Sequence, residues 1–317
     1  MLASNRSLAR TAWLVTGVLC LFAGCGEASA PEAGRVPETP KAPTAAPGAT
    51  LVAALVDAPS PEALLVILGQ PHAVVRNRLG AHHLAWEAHY ETTPTTAPER
   101  VAVDQPARVA QSVDDKQVLE WAPGNPERLY LRQGGEEPPA CHEYMVVDKQ
   151  VYTRIPYRAW LTHPLEAEAH HLWLDEAVHG PRDVVAFVAP ALAIGVAFDE
   201  EAVEVTLRLA DTTTPERVVT ARGQKWRTGV VFTSLDGTIE IDRTTGLWTQ
   251  AQVEAAYTFE DSEGQRVAGL VSLRGTLEGG LAAEDAVRAA PTEVAKTPNR
   301  VRYEVDKHEL LDGLIHL

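Results

Sequence analysis

The stretch Ala251-Gln252-Val253-Glu254-Ala255-Ala256-Tyr257-Thr258-Phe259 decides the fold class of this chain. Ala251, Val253, Ala255, Tyr257 and Phe259 alternate with Gln252, Glu254 and Thr258, the period of two that gives a strand one buried and one wet face. The same pattern occurs upstream, where Val203, Val205, Leu207 and Leu209 alternate with Glu204, Thr206 and Arg208. Trp226 to Thr233, Gly237 to Asp242 and Arg266 to Leu277 are further strand candidates, with turns predicted at Asp236-Gly237, at Thr245-Gly246 and over Asp261 to Gly264. Strands joined in succession by short turns form an antiparallel meander.

Working outward, an earlier set of strands precedes this one: His83 to Glu91, Val118 to Ala122, Leu129 to Gln133, Tyr144 to Val147 and Gln150 to Ile155. Asp148 and Lys149 lie between the last two, at the place of a tight hairpin turn, although neither is glycine. From Pro164 to Ala193 the strand signal stops. Leu165, His171, Leu172 and Leu174, then Val184, Val185, Phe187 and Val188, suit two short helices broken near Gly180 and Pro181. Another helix is expected after Ser60, a good N-cap followed by Pro61, with Leu64, Leu65, Ile67 and Leu68 as its apolar face until Gly69 and Pro71 interrupt it. The class is α+β, mainly antiparallel β.

The first residues carry an address. Arg6 and Arg10 precede an apolar run from Thr11 to Ala23 that is too short for a permanent membrane span, and Ala23-Gly24 closes it directly before Cys25. This resembles the lipobox of bacterial lipoproteins, with Phe22 standing where an aliphatic residue is usual. Residues 1–24 are then a signal peptide, and Cys25 is the acylated residue. Gly26 to Thr50 holds Pro31, Pro37, Pro40, Pro43 and Pro47 and almost no large apolar residue, the composition of an extended tether. The domains expected are therefore a leader (1–24), a lipidated tether (25–50), a β domain (51–280) and a charged C-terminal tail (281–317) in which Leu310, Leu311, Leu314 and Ile315 suit a short helix.

Charge and cysteines limit the function classes. The formal net charge of −15 repels nucleic acid and anionic head groups, so attachment to a membrane has to be hydrophobic. Of the three cysteines, Cys20 leaves with the leader, Cys25 is acylated and Cys141 remains alone, so no disulfide framework forms.

The order of elements is similar to the LolA-like lipoprotein family, which includes the LolA/LolB, RseB and LppX/LprG types. The local match is Leu235-Asp236-Gly237-Thr238-Ile239-Glu240-Ile241-Asp242-Arg243-Thr244-Thr245-Gly246-Leu247, where a strand ends in Asp and a Thr-Gly turn opens the next long strand. The resemblance spans roughly Leu51 to Leu277. It implies an incomplete, half-open β-barrel with covering helices, and a hydrophobic ligand, a lipid or lipoprotein acyl chain, held on the concave side. Trp86, Tyr90, Val253, Tyr257 and Leu270 are the candidates for lining that cavity. The family further implies a lipid-anchored protein of the cell envelope. Gly26, which lacks the aspartate associated with inner-membrane retention, points to the outer membrane facing the periplasm. An alternative of another class is an interaction or sensor module, as in RseB, that contacts a partner protein of the envelope.

Residue patterns for chemistry are thin. His170, His171, Asp175, Glu176 and His179 cluster with helical spacing, but they do not form the His-Glu-x-x-His pattern and read as a solvated helix face. His82, His83 and His89 lie on the first strand, with His83 and His89 opposite Trp86. Cys141 precedes His142, and adjacent side chains on an extended segment point apart, so they make no nucleophile and base pair; Pro138 and Pro139 put Cys141 in a loop. Asp236, Glu240 and Asp242 read as the polar side of a hairpin. Without a Gly-x-Ser-x-Gly turn or a phosphate loop, the expectation is a protein that is not an enzyme and needs no cofactor or metal.

Overall fold

Ser60 caps a helix as its sequence requires: its Oγ accepts a hydrogen bond from the Ala63 amide at 3.2 Å, Pro61 fills the first turn and Gly69 ends the element. In the computed structural model the described residues are 47–95, 109–124, 127–134, 141–164, 174–175, 177–198, 200–211, 229–260, 264–281 and 288–296. That helix is α2 (Pro61–Leu68), preceded by α1 (Gly48–Asp57) and followed by α3 (His72–Leu79). α1 begins inside the segment expected to be tether. Its Val52 and Leu55 are buried, which is what its small, apolar sequence can offer. Gly69 and Pro71 interrupt helicity as expected, and Pro71 then precedes the first turn of α3, a place proline tolerates and a helix that was not predicted.

The strands are β1 (His82–Pro94), β2 (Gln111–Ala122), β3 (Arg128–Gly134), β4 (Cys141–Val147), β5 (Gln150–Arg154), β6 (Trp160–Pro164), β7 (Leu192–Phe198), β8 (Ala202–Leu209), β9 (Val231–Asp242), β10 (Trp248–Glu260), β11 (Arg266–Gly279) and β12 (Val294–Lys296). Among the described residues they form one twelve-stranded sheet in the order β12-β6-β5-β4-β3-β2-β1-β11-β10-β9-β8-β7. Two antiparallel meanders, β1 to β6 and β7 to β11, are sewn together by the long antiparallel pair β1–β11, from His82 opposite Gly279 to Pro94 opposite Val267. β12 adds in parallel to β6. The class is α+β with an open, mainly antiparallel sheet.

Helix α4 (Gly180–Val188) stands between the meanders, where the sequence predicts a helical insertion, with Leu174, Asp175, Ala177 and Val178 helical just before it. It packs on α2 and on β1, β10 and β11, and α1 packs on α2. The helices thereby cover one face of the sheet. The main core lies between them: Leu55, Leu64, Ile67, Val185 and Val188 from the helices meet Leu84, Val205, Ile239, Val253 and Leu273 from the strands.

A second, smaller core lies on the reverse face of the first meander, formed by Ala81, Ala122, Tyr130, Met145 and Val147, with Leu281 and Ala290 packed against it. Within the segment expected as tail, Leu281 and Ala290 thus cover apolar surface, and Val294–Lys296 is a strand. Burial on both faces explains why Leu129-Tyr130-Leu131 and Tyr144-Met145-Val146-Val147 run without alternation. One charge lies within this core. Glu143 is buried, accepts a hydrogen bond from the Tyr130 hydroxyl at 2.7 Å and pairs with Arg154, while Arg288 stacks over the Tyr130 ring at 4.3 Å. Burial and the adjacent Glu143 carboxylate push the Tyr130 phenol upward.

Several strand expectations need correction. Asp236-Gly237 is no turn: β9 runs unbroken through it. A Cβ at Gly237 would lie 2.5 Å from the Gln252 carbonyl oxygen, so the glycine permits a close backbone approach across β9 and β10. The hairpin on which the family resemblance rests is present, with β9 ending at Asp242 and β10 opening at Trp248 after the Thr245-Gly246 turn. β6, β7 and β12 were not predicted. The β4–β5 hairpin was, and Asp148 and Lys149 both adopt left-handed backbone at φ 51° and 64°.

Candidate functional site

The helix-covered face gathers most of the predicted cavity candidates. Trp86 on β1 is buried, its indole Nε1 donating to the Ala177 carbonyl at 2.8 Å in the turn that leads into α4. Gly180 lies against that ring so closely that a Cβ would sit 2.1 Å from Trp86 Cε2. Val253 is fully buried on β10, and Tyr257 forms an aromatic group with Phe187 of α4 and Phe232 of β9, with ring centroids 5.0 and 5.8 Å away. Tyr90, half-buried, packs against the same core further along β1. Leu270 does not join them. It is 51% exposed on the reverse face, because Val267, Val271 and Leu273 turn inward and the period of two sends Leu270 outward.

The same face carries a polar group that the sequence reading missed. Gln117 on β2 stands opposite Trp86 on β1 and opposite Gln133 on β3, and Asp115 stands opposite Ala88. Asp115, Gln117 and Gln133 are all buried, at 5%, 3% and 5% exposure. Gln133 hydrogen-bonds the Asp115 carboxylate, and Asp183 of α4 lies near enough for its charge to act on it. Burial, with the Asp183 charge added, pushes Asp115 up to about 7 although the Gln133 hydrogen bond pulls the other way. Among the described residues no donor reaches Asp115 Oδ2 or Gln117 Oε1.

Position along the strand gives this group its setting. Moving from Trp121 through Leu119, Gln117 and Asp115, the inward-facing residues of β2 pass from core to the exposed Val113, 54% accessible, which stands opposite Tyr90. Asp115 and Gln117 therefore lie just inside the rim of the helix-covered face. The strand predicted from the sequence starts at Val118, which leaves the polar half of β2 outside it. The available signal was phase: Asp115 and Gln117 fall on the same parity as Leu119 and Trp121.

The other predicted clusters have structural employment. Asp175 accepts a hydrogen bond from the His72 amide at 2.7 Å, whereas His170, His171 and Glu176 lie outside the described residues. No group of three or more His, Cys, Asp or Glu side chains that could hold a metal ion occurs among the described residues. His83 and His89 do lie opposite Trp86, and His89 Nδ1 is 2.6 Å from Asp114 Oδ1. His82 instead turns inward and is fully buried, stacked on Trp121 at 5.4 Å with its Nε2 3.2 Å from His72 Nε2. Its Nδ1 lies 2.7 Å from the Gly80 carbonyl, so that nitrogen carries the proton and His72 is the donor between the rings. Burial lowers the His82 pKa.

Cys141 is no loop residue: it is the buried first residue of β4, and burial pushes its thiol up, away from the reactive thiolate. Asp242 Oδ1 accepts from the Thr244 and Thr245 amides and the Thr245 hydroxyl, holding the β9–β10 turn, and Glu240 accepts from the Thr249 hydroxyl. Cys25, the leader, the tether up to residue 46 and the predicted helix near Leu310 lie outside the described residues. No protein-family model matches this chain, and no curated protein matches it.

Proposed function

We propose that this chain is a lipid-anchored protein of the bacterial envelope that holds a hydrophobic ligand, a lipid or a lipoprotein acyl chain, between its helices and its sheet. The observation that carries the reading is the apolar, helix-covered face that Trp86, Val253 and Tyr257 share and that ends at a polar rim near Asp115. A separate helical layer over a sheet face is the arrangement that can part by a small shift and admit an alkyl chain, whose transfer from water yields roughly 0.8 kcal/mol per methylene. The curved, half-open barrel of the LolA-like family is the finer form of the fold this reading assumes. Its chemistry is non-covalent shielding. It needs neither a catalytic group nor a cofactor.

The anchor completes the reading. Acylation at Cys25 ahead of a proline-rich tether holds the body on a membrane, most simply the periplasmic side of the outer membrane, while the tether leaves room for a ligand to arrive. The test is lipid extraction of the full-length protein purified from membranes, followed by mass spectrometry, with a stoichiometric acyl species expected beyond the one attached to Cys25. Protein that carries none, and takes up none from mixed vesicles, would refute the reading. Cys25→Ser is expected to move the protein into the soluble fraction of a cell lysate; a variant still firmly in the membrane would refute the anchor.

A second reading, an interaction module for an envelope partner, draws on Leu270 and Val231. They are 51% and 56% exposed on the reverse face of the second meander. Crosslinking in cells from positions beside them tests it, with one dominant partner expected.

A further inference from the structure

We propose that Asp115 and Gln117 form a head-group subsite that accepts a hydrogen-bond donor, a hydroxyl or an ammonium, from a ligand whose hydrocarbon lies on the helix-covered face. The inference rests on the hydrophobic-ligand reading above and gives the ligand a chemical polarity.

Gln117 Oε1 is an acceptor at any pH, and Asp115 Oδ2 becomes one as its carboxyl ionises above about pH 7. A buried acceptor without a donor loses its hydration for nothing, so two of them side by side on one strand face mark a place that an arriving donor completes. Charge points the same way. Asp183 acts on this spot from α4 and adds negative potential, and His142 lies across Gln133 on β4 with its pKa lowered by burial. A carboxylate or phosphate head group would be repelled here and would find no donor on Asp115 once that side chain ionises.

Depth fits an amphiphile. Asp115 and Gln117 come immediately inside the exposed Val113 and the half-buried Tyr90, and beyond them the face is Trp86, Leu84 and Leu119. A ligand with a polar end at the rim and an apolar chain running inward matches this sequence of surfaces. A ligand with an apolar terminus at the rim would leave both acceptors unmet.

The experiment compares four probes of one chain length on the full-length protein at pH 8, where Asp115 is ionised: 1-oleoylglycerol, oleylamine, methyl oleate and oleate, with affinities read by displacement of a fluorescent fatty alcohol. The two donor-bearing probes are expected to bind about tenfold more tightly than methyl oleate, the worth of one or two hydrogen bonds, and oleate more weakly than either. In Asp115→Asn and, separately, Gln117→Leu, that preference should shrink to about twofold while methyl oleate binding is kept. Equal affinity of the wild type for all four probes would overturn the subsite and leave the hydrophobic-ligand reading standing. A preference that survives both substitutions would overturn the assignment to these residues. Binding of none of the four would overturn the hydrophobic-ligand reading and the subsite with it. The wild-type comparison needs no variant, so a misfolded variant does not blunt the test.

Discussion

Asp115 is a carboxyl group whose pKa rises from 3.8 to about 7 on folding, and that rise has a sign in stability. In the unfolded chain Asp115 ionises near its ordinary value, whereas the fold keeps it protonated until about 7. Ionisation therefore favours the unfolded state across this window, and its contribution to stability declines as pH climbs from about 4 to 7 and is flat above. At 1.36 kcal/mol per unit the full swing is roughly 4 kcal/mol, an upper figure because relaxation of the surrounding groups offsets part of the burial cost. Asp115→Asn should match the wild type in urea midpoint at pH 4 and exceed it at pH 8. A wild type and variant that run parallel over that range would show that the carboxyl is not held neutral. Trp86 argues at the same scale. Trp86→Phe removes the donor to the Ala177 carbonyl and part of a buried ring, for an expected loss of roughly 2–4 kcal/mol in denaturant titration. The sequence showed Trp86 on an inward parity but could not show its hydrogen-bond partner, which lies across the helical insertion.

At the scale of elements, periodicity was legible where one face of a strand meets water and illegible where both faces are buried or where polar residues point inward. β8, β10 and β11 alternate and match the strands predicted there; the polar half of β2 carries no strand signal because Asp115 and Gln117 occupy core-facing positions. β7 was missed for the opposite reason, since Leu192-Ala193-Ile194-Gly195-Val196-Ala197-Phe198 has no polar residue to show a period. Asp-Gly at 236–237 misled because it is the strongest short hairpin signal, and only the contact across to Gln252 reveals why a glycine is needed inside a strand. The Asp148-Lys149 hairpin is a true turn made from residues that resist it. Both have positive φ, which costs a non-glycine residue roughly 1 kcal/mol. Lys149→Gly should therefore stabilise the protein by about 0.5–1 kcal/mol, visible as a rise in melting temperature without a change in denaturant m-value. The seat of α4 is sensitive in the other direction. Gly180→Ala places a Cβ against the Trp86 ring, and the forced shift should cost roughly 1–3 kcal/mol and redden tryptophan emission.

For the molecule as a whole, the two meanders are covered differently, and the difference separates stability from the proposed ligand binding. The helices cover the inner face across the β1–β11 seam, where the proposed ligand would lie. The reverse face of the first meander is covered by residues that follow β11: Leu281 and Ala290 pack on its small core, Arg288 stacks on Tyr130 and reaches Glu120, and β12 pairs with β6. None of this was legible in the sequence, because residues 281–296 hold few large apolar side chains and their partners lie far away along the chain. Ending the chain after Gly280 would uncover Tyr130, Met145 and Val147, each worth roughly 1.5–3 kcal/mol when fully buried, and would leave β6 as an open edge. A loss of several kcal/mol and binding of a hydrophobic dye are expected. Glu143 should remain paired, since Arg154 and Tyr130 both precede the cut. Below its lowered melting temperature the truncated protein should keep the same preference among lipid probes as the full chain, because its inner face is untouched. If truncation instead abolished that preference while the protein stayed folded, the ligand would have to sit on the reverse face, and the division of labour between the two faces would be the wrong way round.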